Sequence, residues 1–278
     1  MTAPINMNDI AQHHNVLFVT LDSLRYDVAD SLFRQNRTPN FQLHNPEGWQ
    51  LCHSPGSFTY AAHQAFFAGF LPTPAADARA PRLFAARFAG SETTAAHTLV
   101  FDTPDIVSGL AGMGFRTICI GGVGFFNRQT PLGRILPSFF QECFWRPAFG
   151  VTDPDSTRHQ FEQAASLIDE RQTFLFINVS AIHQPNYFYA DATTSAAEAA
   201  TRQPDTLDSH AAALEYVDSQ LPILFEALCA SGRPTFCIVC SDHGTAYGEN
   251  DYYGHRVGHP TVWEVPMATF TLTSAAGV

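Results

Sequence analysis

Asp22, Thr59, Asp242 and His243 are residue types that together bind a divalent cation and activate an oxygen nucleophile. Two carboxylates and one imidazole make a mixed oxygen and nitrogen set that suits such an ion. Carboxylates brought close also repel each other unless a cation lies between them. Asp22 directly follows a short apolar run, in Leu21-Asp22-Ser23-Leu24-Arg25-Tyr26-Asp27, and Asp242 closely follows another, in Ser241-Asp242-His243-Gly244. Thr59 stands in Ser54-Pro-Gly-Ser-Phe-Thr59-Tyr-Ala-Ala-His63, placed to begin a short helix that closes near Gly69. A hydroxyl at a helix start faces unpaired N–H groups and the positive end of the helix dipole. That environment stabilises an alkoxide and suits a bound oxyanion. A cation on the same oxygen lowers its pKa further. Read singly, Asp22 is also what a helix or turn cap looks like, Asp242-His243-Gly244 a simple turn, and Thr59 an N-cap. His183 in Ala181-Ile182-His183-Gln184-Pro185, and His255, Arg256 and His259 in Gly254-His255-Arg256 and Gly258-His259-Pro260, add imidazoles and a cation.

Strands and helices have to bring these distant stretches together. Residues 15–21 (NVLFVTL), 116–120 (RTICI), 173–179 (TFLFINV) and 235–240 (TFCIVC) are short apolar, β-branched runs, as expected of strands buried on both faces. Residues 265–272 read as a final strand at a sheet edge. Thr103-Pro104-Asp105 opens a helix that Gly114 closes. Residues 156–171 carry Phe161, Ala164, Ala165 and Ile168 at helical spacing, and 206–230 carry a longer apolar stripe with a kink expected at Pro222. Alternation of this kind predicts an α/β fold, a largely parallel central sheet flanked by helices. In such sheets sites form at the carboxyl ends of strands, where Asp22, His183 and Asp242 stand. Residues 71–98 and 191–204, rich in Ala, Pro and Thr, read as long loops. Neither resembles a linker, so residues 1–278 are read as one domain.

Composition excludes several alternatives. The 278 residues include 15 Arg and no Lys, against 26 acidic residues, for a net charge of −11. A Walker-type phosphate loop, a kinase-type ATP site and Schiff-base catalysis each need a Lys. The acidic balance argues against nucleic acid or an anionic membrane as partner. No apolar run is long enough to span a bilayer, and the polar start lacks the pattern of a secretion signal, so a cytoplasmic location without membrane insertion is expected. The 6 Cys are too few for a disulfide framework in a chain this long. Cys237 and Cys240 lie on a predicted strand, where residues three apart face opposite ways, which excludes a redox pair.

In their order along the chain these stretches resemble the sulfatase-like branch of the alkaline phosphatase superfamily. NVLFVTLDSLRYD resembles its first metal segment and Thr38-Pro39-Asn40 the short element that follows. SPGSFTYAAHQAFFAGFLP resembles the nucleophile segment, His183-Gln-Pro the His-x-Pro element, and SDHGTAYGENDYYGH followed by EVP the late metal segment. The resemblance implies an alkaline-phosphatase-like fold and a metal-dependent hydrolase. Asp22, Thr59, Asp242 and His243 would hold one divalent ion (Mn, Zn, Mg or Ca). Thr59 would be the covalent nucleophile, and His183 and His255 would bind the transferred anion or protonate the leaving oxygen. His63, Arg25, Arg256 and His259 would touch a small anionic ester substrate. A second ion would draw on His183, His255, His259 or Asp27.

The departures are informative. Sulfatases carry two adjacent Asp where this chain has Asp22-Ser23. They also carry a Cys or Ser that is oxidised to an aldehyde, in a segment ending in Arg, where this chain has Thr59-Tyr-Ala-Ala-His63. A Thr cannot yield that aldehyde, so a phosphate ester is the preferred substrate. Two rival readings share the fold: transfer of the phospho group to an alcohol, and a binding domain without activity. Recognition of the substrate is expected from the two Ala-rich stretches and the loop at Val123-Gly-Phe-Phe-Asn127.

Overall fold

Asn15–Leu21 (β1) is buried at every residue but one, and it lies at the centre of a seven-stranded sheet. The computed structural model describes residues 5–69, 84–85, 99–100, 105–190 and 204–273. Its other strands are Gln50–His53 (β2), Phe84–Ala85 (β3), Leu99–Val100 (β4), Arg116–Ile120 (β5), Glu142–Phe144 (β6), Thr173–Val179 (β7), Thr235–Cys240 (β8), Ala246–Tyr247 (β9), Tyr253–Gly254 (β10) and Glu264–Leu272 (β11). The sheet order is β2-β11-β8-β1-β7-β5-β6. β1, β5, β6, β7 and β8 run parallel to their neighbours in this group, and β11 runs antiparallel to both β2 and β8.

The helices are Met7–His13 (α1), Tyr26–Arg34 (α2), Pro39–His44 (α3), Thr59–Ala68 (α4), Ile106–Gly112 (α5), Ser156–Leu167 (α6), Leu207–Ala230 (α7) and Pro260–Trp263 (α8). Successive side chains of a strand point to opposite faces, and the two faces of this sheet bury different chemistry. Leu17, Val19 and Leu21 of β1 and Leu175, Ile177 and Val179 of β7 join Leu214, Val217 and Phe225 of α7 in one core. Val16 of β1 and Phe174 and Phe176 of β7 join Phe67 of α4, Phe115, Phe126 and Phe140 in the other. Much of the chain's Phe content is thus accounted for by core packing. Each such ring, fully buried, contributes roughly 1.5–3 kcal/mol.

Several expectations are revised. β11 is not at the sheet edge, because β2 pairs outside it. β2 is four residues of mixed exposure with no apolar run, so nothing in its own sequence marks it as a strand. α5 begins with Asp105 as its cap: the carboxylate accepts the Ser108 N–H at 2.8 Å, and the Ser108 hydroxyl accepts the Asp105 N–H at 3.0 Å. This reciprocal pair sets the start of the helix. Thr103, Pro104, residues 71–98 apart from 84–85, and residues 191–203 lie outside the described residues. α6 ends at Leu167, four residues short of its sequence-predicted end, and α7 passes Pro222 as one element. No helix among the described residues is long and apolar enough to cross a membrane.

Candidate active site

The register of the sheet assembles the site. Leu21 of β1 pairs with Val179 of β7, and Thr20 pairs with Cys240 of β8. Asp22 and Asp242 therefore leave the sheet side by side at its carboxyl edge. Ser23 takes a left-handed conformation, φ 69°, and its N–H donates to Asp242 Oδ1 at 3.2 Å. The same oxygen accepts the His243 N–H at 3.0 Å. The Ser54 hydroxyl donates to the Asp242 carbonyl, tying the stretch that leads into Thr59 to this turn. A Cβ on Gly244 would lie 2.0 Å from the Thr261 carbonyl oxygen, so the turn admits no side chain there.

α4 supplies the third element. Phe58, extended, is its N-cap residue and makes no side-chain cap, and Thr59 is the first helical residue. The Thr59 hydroxyl is therefore not an N-cap. It lies 3.3 Å from Asp22 Oδ2 and 3.3 Å from His243 Nε2. Asp22, Asp242 and His243 are each fully buried, and their ligand atoms lie within 4.8 Å of one another. Among the described residues this is the group of His, Cys, Asp and Glu side chains whose ligand atoms converge.

The trio fits a divalent ion on three counts. Asp242 Oδ2 is buried without a hydrogen-bond partner, which is costly for a carboxylate oxygen. His243 Nδ1 faces the Gly244 carbonyl at 2.8 Å, so that nitrogen carries the proton and Nε2 turns a lone pair to the carboxylates. Nε2 stands 3.7 Å from Asp22 Oδ1 and 3.6 Å from Asp242 Oδ2. These separations are too long for hydrogen bonds, and two ligands of one tetrahedral ion lie about 3.4 Å apart.

Electrostatics points the same way. Burial, then the Asp22 charge, pushes the Asp242 carboxyl well above the usual carboxylate range. Burial also works to raise Asp22, but His183, His243 and the Asn178 amide outweigh it and hold it low. One proton or one cation must therefore sit between the two carboxylates. Burial lowers the His243 imidazole, which keeps it neutral and able to ligate.

Two residues that hold this set were not singled out from the sequence. Asn178, near the end of β7, donates to Asp22 Oδ2 at 3.0 Å and accepts the Val123 N–H at 3.0 Å. Thr20 lies 3.0 Å from His63 Nε2 and accepts from Asn178 at 3.3 Å. A lone Asn in the otherwise apolar run TFLFINV is the signal that marks it.

His63 is corrected. It is fully buried beneath Thr59, with Nδ1 2.7 Å from the Thr59 carbonyl and its ring among Phe66, Phe126 and Phe176. Burial pushes it down to about 4, so it is neutral and both nitrogens are engaged. It positions the helix start and does not meet an anion. Arg25 is likewise committed: it is buried, doubly hydrogen-bonded to Asp27, and paired with Glu249. That pairing also removes Asp27 as a ligand for a second ion. His259 Nδ1 accepts the Thr261 N–H at 3.2 Å, capping α8.

The remaining expected residues do gather at the trio. The His255 ring stands 4.6 Å from His243 and 5.5 Å from His183. Burial, then His243 and His183, lowers His255 to about 4. The Arg256 guanidinium lies 5.0 Å over the Phe58 ring, and the Arg256 backbone N–H donates to the Ser57 carbonyl at 2.8 Å. Phe125 packs near Phe58 and Tyr60, whereas Phe126 belongs to the core. Cys237 and Cys240 are buried on β8 and burial raises both thiols, which agrees with excluding redox chemistry.

A comparison with curated proteins finds no match. Solved structures do resemble the chain. The soluble domain of lipooligosaccharide phosphoethanolamine transferase A from Neisseria meningitidis is 14% identical, with 94% of this chain and 77% of that one covered and a TM-score of 0.62. The C-terminal periplasmic domain of EcEptC from Escherichia coli, in complex with Zn, is 15% identical, with 94% and 74% covered and a TM-score of 0.59. A protein in the alkaline phosphatase superfamily from Vibrio parahaemolyticus is 16% identical, with 95% and 60% covered and a TM-score of 0.56. At these identities the likeness is one of fold. The sulfatase family model matches residues 14–268, nearly the whole chain. The fold is that of the alkaline phosphatase superfamily, and within it the chain belongs to the sulfatase family.

Proposed function

We propose that the protein is a metal-dependent hydrolase of phosphate esters, with Thr59 as its covalent nucleophile. The observation that carries this reading is the uncapped Thr59 hydroxyl, 3.3 Å from both Asp22 and His243 at the first turn of α4. Asp22, Asp242 and His243, with Thr59, are the residues that would hold a divalent ion. That ion, when bound, supplies positive charge to the Thr59 oxygen and to the transferred group.

The residues then divide the work. Thr59 Oγ1 bonds to phosphorus and the ester P–O bond breaks. The proton lost by the Thr59 hydroxyl is balanced by the one the departing alcohol gains, with His183 as the assigned donor, while His255, neutral, is assigned to bind the transferred anion through its ring N–H. Water next bonds to phosphorus, the Thr59–phosphorus bond breaks, and the Thr59 oxygen regains its proton. Arg256 and the α4 N–H groups face the anion's oxygens. A sulfate ester would follow the same steps, without the aldehyde that sulfatases use.

A second reading is transfer, in which an alcohol takes the place of water in the second half. The fold similarity to a phosphoethanolamine transferase supports it. Both readings share Thr59 and differ only in the acceptor.

The test is turnover of 4-nitrophenyl phosphate by purified protein supplied with Zn²⁺ or Mn²⁺. Chelation should abolish it. Thr59→Ala should lose at least about a thousandfold in kcat while keeping its circular-dichroism spectrum, in the range seen when a nucleophile is removed. Parent-like turnover by Thr59→Ala would remove the assignment. Adding glycerol separates the two readings: a transferase makes glycerol phosphate in preference to free phosphate.

A further inference from the structure

A cleft of about 620 Å³ opens beside the site, lined in part by Gln184, Asp205, Leu207, Tyr247, Tyr253 and Gly254. Its walls come from the stretches that build the centre. Gln184 follows His183, Tyr247 stands four residues after His243, and Gly254 precedes His255. Two residues reach at most about 7 Å, so Tyr253 lies within that distance of His255 along the chain. Gln184 and Gly254, which line the cleft, are the chain neighbours of His183 and His255, so the cleft adjoins those two histidines.

Tyr247 and Tyr253 face each other directly across the β9–β10 pair, and so share one face of the hairpin. The Tyr247 hydroxyl is held by Asn186 at 3.0 Å and His210 at 3.1 Å, which makes its ring a fixed wall. Tyr253 is 73% exposed and Leu207 39%, so both present apolar surface to the cleft. Among the described residues none of the lining side chains is basic, and Asp205 is acidic.

We propose that this cleft seats the alcohol half of the ester and selects an aromatic alcohol that carries no further negative charge. The inference rests on the ester-cleaving reading above and adds the class of leaving group. Flat rings stack on the tyrosines. A second anion on the alcohol meets Asp205 and, among the described lining residues, no basic side chain. The tetrahedral group remains at Thr59, where Arg256 and the trio stand.

Binding tests this apart from turnover. Phenylphosphonate and methylphosphonate share the anion and differ only in the body attached to it. Titrated calorimetrically into the Zn²⁺-loaded protein, the phenyl compound binds about tenfold tighter. Tyr253→Ala collapses that ratio to below about threefold, and Tyr253→Phe keeps it. A 4-carboxyphenyl phosphonate binds more weakly than the phenyl compound. Equal binding of the two bodies, a preference that survives Tyr253→Ala, or no binding of either compound overturns the proposal. Should the preference hold while Thr59→Ala turns over like the parent, the cleft stands and the nucleophile assignment alone is lost.

Discussion

Asn178 shows what a single side chain contributes here. Its amide fixes Asp22 Oδ2, and its carbonyl oxygen fixes the loop that starts at Gly122, where a Cβ would lie 2.3 Å from the Asn178 backbone oxygen. Asn178→Ala frees one carboxylate oxygen and should cost about 10–100-fold in metal affinity, the usual effect of losing a partner behind a ligand. Competition with a chromogenic chelator measures this, and unchanged affinity would mean that Asp22 needs no support. His63 carries a second residue-level expectation. Being neutral and engaged at both nitrogens, it should tolerate Gln better than Arg. His63→Arg forces a longer side chain into a fully buried site walled by Phe126 and Phe176 and should destabilise by about 3 kcal/mol, read from the urea midpoint. Asp22, Thr59, Asp242 and His243 were legible in the sequence because their order and neighbours are specific. The burial of His63 was not, because it depends on Phe126 and Phe176 arriving from two other segments to close over it beside Phe66 of its own helix.

At the scale of elements, α3 and α7 illustrate how distant segments lock. The Asp218 carboxylate, on α7, accepts the N–H groups of Asn40 at 3.1 Å and Phe41 at 2.8 Å, at the start of α3. Thr38 makes no side-chain cap of its own, so the capping group arrives from another helix. Asp218→Ala strands those donors and should cost about 2 kcal/mol, with little change in turnover. A midpoint shift under about 0.5 kcal/mol would show that water replaces the carboxylate. The strands β1, β5, β7 and β8 could be read from sequence because they are buried apolar runs. β2 and β6 could not: four and three residues of mixed polarity become strands only through their neighbours' hydrogen bonds. The start of α5 was misplaced for a related reason. Three adjacent residues could each open a helix, and only the Asp105–Ser108 reciprocity decides among them.

For the whole molecule, pH stability follows from buried imidazoles. His210 is fully buried, and burial, then the nearby Arg25 charge, pushes it down to about 3. The unfolded imidazole titrates near 6.5, so between these values the unfolded chain holds a proton that the folded one lacks. Stability therefore rises with pH through this window, is complete above about 6.5, and is lost on acidification at up to about 1.4 kcal/mol per pH unit. Urea midpoints of the Zn²⁺-loaded protein should fall between pH 6.5 and pH 5, and a flat profile would contradict a buried neutral His210. The alternation of strands and helices made the α/β class legible, and parallel pairing at the centre follows from runs buried on both faces. The register that sets Asp22 beside Asp242 was not legible, since it is decided by pairing along three strands at once.

We propose above all that the ends of β1 and β8 and the start of α4 grip a divalent cation against the Thr59 oxygen. Anomalous diffraction from crystals soaked in Zn²⁺ tests it most directly. The expected result is a peak about 2.0–2.2 Å from Asp22, Asp242 and His243, within reach of Thr59 Oγ1 and absent in Asp242→Asn. A map with no peak among these side chains, or with zinc bound only elsewhere, would contradict it.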